Sequence, residues 1–140
     1  MSGKAFVDTN ILIYAHDRLA GRKYTRAEEL LNQLWQENRA VLSTQVLQEF
    51  CVNARRKAAK PIDLGELRET IRDFLTWEIV VNAAESVLRA LEIELRYRIS
   101  FWDAMIVQAA ESAGCEVLYS EDLSHGQEYS GVLVIDPFVE

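Results

Sequence analysis

Cysteine, histidine and long apolar runs are all scarce in this chain. Its 140 residues include two cysteines and two histidines. Two cysteines make a poor disulfide framework and a poor zinc site, so Cys51 and Cys115 are interpreted as small buried side chains in a reducing compartment. No stretch reaches the ~18 apolar residues of a membrane span, and the N-terminal residues MSGKAFVD do not resemble a signal peptide. A cytoplasmic protein without a membrane segment is therefore expected.

Positive charge is also in short supply, because the formal net charge is −7. A protein that holds nucleic acid through its bulk field is usually basic, so tight non-specific DNA binding is disfavoured. Two local basic clusters could still hold a short stretch of RNA, although each could equally be an ordinary solvated surface. An acidic face would also suit a basic protein partner. The clusters are Arg18, Arg22, Lys23 and Arg26, and Arg55, Arg56, Lys57 and Lys60.

The apolar pattern predicts strands that alternate with helices in one domain over residues 1–140. Strands are predicted at 4–8, 40–42, 78–81, 116–119 and 132–135, and polar loops at 17–24 and 120–127. The pattern Thr25-Arg-Ala-Glu28 predicts a capping box at the start of a helix. Helix caps are also predicted at Ser43 or Thr44, at Asp63 and at Ser100. Such alternation indicates a parallel sheet covered by helices on both faces.

Four acidic residues, far apart in sequence, fall where this arrangement would bring them to one edge of the sheet. Asp8 ends the first strand, and Asp122 follows the strand that ends near Tyr119. Glu49 lies in the second turn of a helix that follows a strand, and Asp103 lies in the first turn of another. Open parallel sheets bind ligands at this edge. Clustered carboxylates repel one another, so they indicate a hard divalent cation such as Mg²⁺ or Mn²⁺.

Each acid also has an ordinary structural interpretation. Asp8 could cap a helix, Asp103 could complete a capping box with Ser100, Asp122 could be a turn residue and Glu49 an exposed helical residue. The neighbours favour a shared role, because an acid beside apolar residues needs partners. The order of the strands is left open by the sequence.

Four segments resemble PIN-domain ribonucleases of the VapC toxin type. They are FVDTNILIY (6–14), LSTQVLQEF (42–50), ISFWDAMIVQAAESAGC (99–115) and LYSEDLSHGQEYSGVLVIDPF (118–138). The resemblance implies a PIN-like, Rossmann-like three-layer α/β/α fold with a central, mainly parallel sheet of four to five strands. It also implies an endoribonuclease that uses Mg²⁺ or Mn²⁺, an RNA substrate, a cognate antitoxin protein and a homodimer.

The resemblance also assigns roles to residues. Asp8, Glu49, Asp103 and Asp122 match the acidic residues that bind metal and catalyse hydrolysis in the family. Asn10, Ser43 and Ser120 match supporting polar residues. Glu121 adjoins Asp122, and either acid could be the fourth, although the pattern favours Asp122.

Three other functions compete with this one. A phosphatase with an aspartyl nucleophile would need a second Asp two residues after Asp8, where this chain has Asn10. A non-catalytic interaction module of the same fold, or a nuclease acting on DNA or in RNA processing, remains open. Because water rather than the RNA 2′-hydroxyl would attack, no histidine is needed, and His16 and His125 are interpreted as helix-end or surface residues.

Overall fold

The centre of the fold is a sheet whose middle strands are buried, seen in a computed structural model that describes residues 3–56 and 62–139. Within these residues the sheet has six strands in the order β3-β2-β1-β4-β6-β5. Every neighbouring pair is parallel except β5 and β6, which are antiparallel. The strands are β1 (Ala5–Val7), β2 (Ala40–Ser43), β3 (Glu78–Val80), β4 (Val117–Tyr119), β5 (Glu128–Tyr129) and β6 (Val132–Ile135).

The prediction of four to five strands was wrong by one strand, because β5 was not anticipated. β5 is two residues long and pairs with β6 through a turn at Ser130 and Gly131. Both turn residues have positive φ, 51° and 83°, as two-residue hairpins with matching twist require. A strand this short carries no measurable periodicity, so an apolar pattern does not reveal it.

Six α-helices and one short 3-10 helix connect the strands in the part of the chain that the structure describes. They are α1 (Thr9–Ala15), the 3-10 helix (Arg18–Ala20), α2 (Arg22–Gln36), α3 (Thr44–Asn53), α4 (Leu64–Phe74), α5 (Ala84–Tyr97) and α6 (Phe101–Ser112). The connections β1 to β2 and β2 to β3 run one way across the sheet, and β3 to β4 runs back. Since such crossovers are right-handed, α1–α4 cover one face and α5 and α6 the other. The result is the expected three-layer α/β/α fold.

Most of the predicted helix caps are confirmed, but the start of α2 is not. The side chains of Ser43, Asp63 and Ser100 each accept a hydrogen bond from a backbone N–H in the first turn of α3, α4 and α6. α2 begins three residues before the predicted Thr25, directly after Gly21 with φ 63°. Thr25 is therefore an interior residue of the helix. The predicted loop at 17–24 instead holds the 3-10 helix and the first turn of α2.

The core is apolar and centred on β1, whose residues are fully buried. Cys115 is also buried, which raises the pKa of its thiol to about 12, and Cys51 is partly buried. α5 buries Ala90 and Ile93, whereas its apolar residues Val87, Leu88, Leu91 and Leu95 are exposed. None of the helices in the described ranges is long and apolar enough to cross a membrane.

The strand order places the ends of β1 and β4 together at one edge of the sheet. From β1 the chain moves outward to β2 and β3, and it then returns to the other side of β1 through β4. Loops on either side of this reversal diverge and leave a crevice at the carboxyl ends of the strands. Asp8 directly follows β1 and Ser120 directly follows β4, so both lie at the crevice.

Candidate active site

Asp8 is a buried carboxylate at the end of the central strand. Its side chain is 5% exposed. One oxygen, Oδ1, accepts a hydrogen bond from the backbone N–H of Thr9 at 2.7 Å, and Oδ2 accepts one from Ser120 Oγ at 2.8 Å. Burial raises the pKa of Asp8 to about 7; the two hydrogen bonds oppose this, and the carboxylates of Asp122 and Glu49 add to it. Asp8 therefore lies within electrostatic reach of two other predicted acids.

Glu49 reaches the same region from α3. Its Oε1 accepts a hydrogen bond from Thr9 Oγ1 at 2.7 Å, so a single hydroxyl joins the residue after Asp8 to Glu49. Ser43 caps α3 and is completely buried. The structure therefore gives Ser43 a role in fixing the first turn of the helix that carries Glu49.

Asp122 and Ser120 come from the loop after β4. Asn10 Nδ2 donates to both carboxylate oxygens of Asp122, at 3.1 and 3.0 Å. Ser120 Oγ accepts from the backbone N–H of Asp122 at 3.1 Å while it donates to Asp8. The supporting residues Asn10 and Ser120 thus join the β1 end to the Asp122 loop.

Glu121, the other candidate for the fourth acid, interacts with a different set of residues. Its carboxylate accepts hydrogen bonds from the hydroxyl of Tyr14 and from Lys23 Nζ, the latter at 2.7 Å. Lys23 also lies 4.8 Å from the centre of the Tyr14 ring. These contacts draw Glu121 toward α1 and α2 rather than toward Asp8.

Asp103 is connected to the other acids less directly. It lies in the first turn of α6, where its backbone N–H donates to Ser100 Oγ at 3.1 Å. The buried amide of Gln45 supplies the link, because its Nε2 donates to the Trp102 carbonyl at 3.2 Å and lies 3.5 Å from Glu49 Oε2. The structure thus brings Asp8, Glu49 and Asp122 together and places the turn bearing Asp103 beside them.

The carboxylates are separated by polar side chains rather than gathered tightly. Within residues 3–56 and 62–139, no three side chains of His, Cys, Asp or Glu lie close enough together to hold a metal ion as they stand. The donors are nonetheless of the right kind, since all are hard oxygens. One buried acceptor beside them, Gln45 Oε1, lacks a hydrogen-bond partner. A buried carboxylate with a raised pKa and an unsatisfied acceptor nearby fit a site for a divalent cation.

Three contributors to this region were not predicted from the sequence. Thr9 and Gln45 hold Glu49, and Tyr14 joins Lys23 in holding Glu121. Two of them could have been predicted from their positions, because Thr9 follows Asp8 and Gln45 lies one helical turn before Glu49. The two histidines are peripheral, as predicted: His16 Nδ1 lies 2.9 Å from the Leu12 carbonyl, and His125 accepts from the backbone N–H of Asp136.

Known proteins share the fold of this chain. The sequence matches the PIN domain family over residues 5–126, and no curated protein matches it. A toxin–antitoxin complex from Klebsiella pneumoniae is similar with a TM-score of 0.68 and 22% identity, covering 96% of this chain and 98% of that one.

Two further structures are similar. DNA-bound VapBC from Salmonella typhimurium has a TM-score of 0.66 and 20% identity, with 96% and 98% of the two chains covered. VapC20 of Mycobacterium tuberculosis, a toxin that cleaves the sarcin–ricin loop, has a TM-score of 0.62 and 21% identity, with 84% and 88% covered. At these identities the likeness concerns the fold.

Proposed function

Because the chain belongs to the PIN domain family, we propose that it is a divalent-metal-dependent endoribonuclease and the toxin of a toxin–antitoxin pair. The substrate is single-stranded or structured RNA, and the cofactor is Mg²⁺ or Mn²⁺. The observation that carries the proposal is the buried carboxylate of Asp8, which shares the crevice with Glu49 and Asp122. A buried acid whose neighbours are also acids is stabilised in its charged form by a cation.

Asp8, Glu49, Asp103 and Asp122 would hold the ion, which when bound supplies Lewis acidity and neutralises developing negative charge. Ser120 and the Thr9 N–H orient Asp8, Thr9 Oγ1 orients Glu49 and Asn10 orients Asp122. Hydrogen bonds of this kind fix the direction of ligand oxygens and tune their basicity. Hydrolysis by water leaves 5′-phosphate and 3′-hydroxyl ends.

The basic cluster at the start of α2 supports RNA as the substrate. Lys23 bonds to Glu121, the neighbour of Asp122, so this cluster adjoins the acids. In a chain of net charge −7, a local patch is the means by which a polyanion is held. Of the second cluster, Arg55 and Arg56 follow α3, whereas Lys57 and Lys60 lie outside the described residues.

An antitoxin is proposed as the partner on two grounds. Structures with this fold include toxin–antitoxin complexes. This chain also has a groove of about 740 Å³ lined by the apolar residues Ile13, Phe50, Ala54 and Ile62, by His16, and by Asp63, Glu66 and Glu69. Its apolar floor and acidic rim suit a peptide that is both apolar and basic. We expect protein, antitoxin and RNA to meet in the cytoplasm.

A homodimer is proposed from the outer surface of α5. Four apolar side chains form one face of this helix, and their exposed fractions run from 42% to 82%. An apolar face of this kind is characteristic of interfaces between copies of a chain. The four residues are Val87, Leu88, Leu91 and Leu95.

One observation favours a second candidate, the non-catalytic interaction module. The acids of the described residues are not gathered tightly, as would suit a fold kept for binding proteins. Uptake of Mn²⁺ at Asp8 separates the two functions, because an interaction module has no reason to bind an ion there.

A cleavage assay tests the proposed function. We expect the protein to cut mixed single-stranded RNA with Mg²⁺ or Mn²⁺, to stop in chelator, and to leave 5′-phosphate ends. Asp8→Asn should lose nearly all activity, whereas the matched control Asp73→Asn, an exposed acid on α4, should retain it. Equal cleavage by Asp8→Asn, or products with 2′,3′-cyclic phosphate ends, would refute this function. Parallel assays on DNA decide between an RNA-directed and a DNA-directed nuclease.

A further inference from the structure

A small basic cavity lies at the start of α2. Its volume is about 320 Å³, and it is lined by Ala20, Arg22, Lys23, Arg26 and Phe138. Three of these five residues are cationic, and the ring of Phe138 forms an apolar wall. The Lys23 ammonium lies 5.3 Å from the centre of that ring. Positive charge is thus concentrated around a concave site in a chain that is acidic as a whole.

Side-chain contacts hold two of the three cations of this cavity, Lys23 and Arg26, in place. Lys23 Nζ is fixed by Glu121 at 2.7 Å and lies 3.3 Å from the Tyr14 hydroxyl. Arg26 Nε donates to the Pro137 carbonyl at 3.1 Å, which orients its guanidinium. Glu121 directly precedes Asp122, so Lys23 links the cavity to the loop that carries a proposed metal ligand. Anchored cations lose less conformational entropy when a ligand binds.

We propose that this cavity binds the phosphate of a nucleotide that neighbours the cleaved bond, so that RNA crosses from the acids onto the first turns of α2. The inference rests on the proposed function. The acids repel every RNA phosphate that the cation does not neutralise, and a basic site beside them offsets that repulsion. Arginine suits the role because its planar guanidinium forms paired hydrogen bonds with phosphate.

The test measures binding of a short single-stranded RNA of mixed sequence in chelator, over a series of salt concentrations. The slope of log K against log salt is negative, and each lost phosphate contact reduces its magnitude by about 0.7 for single strands. We expect Arg22→Gln/Arg26→Gln to reduce the magnitude of the slope by at least this amount. In cleavage assays with Mn²⁺, the same variant should raise KM more than it lowers kcat.

A matched control and a charge-preserving variant make the result specific. Arg68→Gln/Arg72→Gln removes the same formal charge from the exposed face of α4, and it should leave the slope unchanged. Arg22→Lys/Arg26→Lys should keep a slope near that of the parent. Equal slopes for the parent and the glutamine variant, or equal losses in that variant and the control, would overturn the cavity site. A parent that binds RNA through the cavity without cutting it would refute the proposed function alone.

A second and independent observation concerns Gln45. The residue is buried, with 5% of its surface exposed. Its amide Nε2 contacts both the Trp102 carbonyl and Glu49. Its Oε1 is the one buried side-chain oxygen or nitrogen without a hydrogen-bond partner among the described residues. A buried oxygen without a hydrogen-bond partner destabilises a fold. Stability alone therefore does not account for a buried glutamine at this position.

The geometry assigns Gln45 a positioning role: it fixes Glu49 relative to the turn of α6 that carries Asp103. Because one amide group contacts both elements, it sets the separation of two proposed metal ligands. Removing it should loosen the ion site, because Glu49 Oε2 loses its contact with the amide, while Glu49 Oε1 and the Trp102 carbonyl keep hydrogen-bond partners. Thr9 still holds Glu49 Oε1, and the Trp102 carbonyl lies where it can accept the helical N–H four residues on.

Calorimetric titration with Mn²⁺ in the absence of RNA tests this role, together with thermal unfolding in chelator. We expect Gln45→Met to weaken Mn²⁺ binding about 10- to 100-fold with a melting temperature no lower than that of the parent. The control Gln48→Met, at an exposed position of α3, should change neither. Unchanged Mn²⁺ affinity, or a loss of thermal stability in Gln45→Met and Gln45→Leu, would overturn the role. A parent that takes up no Mn²⁺ would refute the metal dependence of the proposed function as well.

Discussion

The pKa of Asp8 makes the stability of this protein sensitive to pH. Burial is the largest cause of its rise to about 7, and the carboxylates of Asp122 and Glu49 reinforce it. In the unfolded chain the same group has its ordinary value of 3.8. Between these two values the folded protein binds more protons than the unfolded chain. The protonated Asp8 therefore makes its full contribution to folding stability below pH 3.8, the pKa in the unfolded chain. This contribution is lost as the pH rises through about 7, the pKa in the folded protein.

We predict that, in chelator, the free energy of unfolding falls as the pH rises from about 4 to about 7, by up to about 4 kcal/mol from this group. Urea unfolding of the parent and of Asp8→Asn across this range measures the difference. Asn does not titrate, so the variant should lack this part of the pH dependence. At neutral pH in chelator it should be no less stable than the parent. Parallel curves for the two proteins would contradict the raised pKa.

Asp122 and Glu121 should differ in their effect on metal binding. Asp122 is bonded to Asn10 beside Asp8, whereas Glu121 is held by Tyr14 and Lys23. We predict that Asp122→Asn strongly weakens Mn²⁺ binding, while Glu121→Gln retains most of it and lowers the melting temperature through the lost ion pair. Calorimetry and thermal unfolding on the two variants check this. The reverse pattern would make Glu121 the fourth ligand.

The side chains between the acids were harder to predict than the acids themselves. Asp8 could be predicted because it ends a buried strand. The bond from Thr9 Oγ1 to Glu49 joins residues 40 positions apart, and it depends on how α1 and α3 pack. Gln45 lies on the buried side of α3, where sequence alone does not say which distant group it meets. The assignment of metal ligands among the four acids stays a prediction.

Elements were predictable where burial imposed a pattern and less so where a turn decided the boundary. β1, β2 and β4 appear as short apolar runs, because parallel strands buried on both faces are apolar throughout. β6 is also an apolar run, although its Leu133 is exposed. The start of α2 was misplaced because a capping-box pattern also occurs inside helices. In the structure Glu28 instead accepts a hydrogen bond from the Tyr24 hydroxyl one turn earlier. The helix begins directly after Gly21, and the capping-box pattern does not reveal the positive φ of that residue.

The exposed face of α5 leads to a prediction about assembly. If two copies pack through this face, Leu91→Glu/Leu95→Glu should shift the protein to a monomer, because a charge buried between apolar surfaces is strongly unfavourable. Light scattering during size-exclusion chromatography measures the mass. Leu19→Glu, at an exposed position outside α5, should leave the mass unchanged. A parent that is monomeric at all concentrations would contradict the proposed homodimer.

At the scale of the whole molecule, strand order creates the crevice in which distant acids meet. The chain reverses direction across the sheet at β1 and β4, and this reversal gathers residues from both halves of the sequence. The convergence of Asp8 with Asp122 follows from that order, which the sequence left open. Positive and negative charge also lie on different parts of the molecule, because the cavity at α2 is basic and the groove at α4 is acidic. RNA and antitoxin would therefore approach different parts of the surface.

Calorimetric titration of the full chain with Mn²⁺, beside Asp8→Asn and the control Asp73→Asn, is the decisive experiment for a cation site at the end of β1. We predict saturable Mn²⁺ binding by the parent and by Asp73→Asn, and loss of this binding in Asp8→Asn. Asn removes the negative charge while it keeps the size of the side chain, so the fold should be preserved. Equal Mn²⁺ binding by Asp8→Asn and the parent would contradict a cation site at the end of β1.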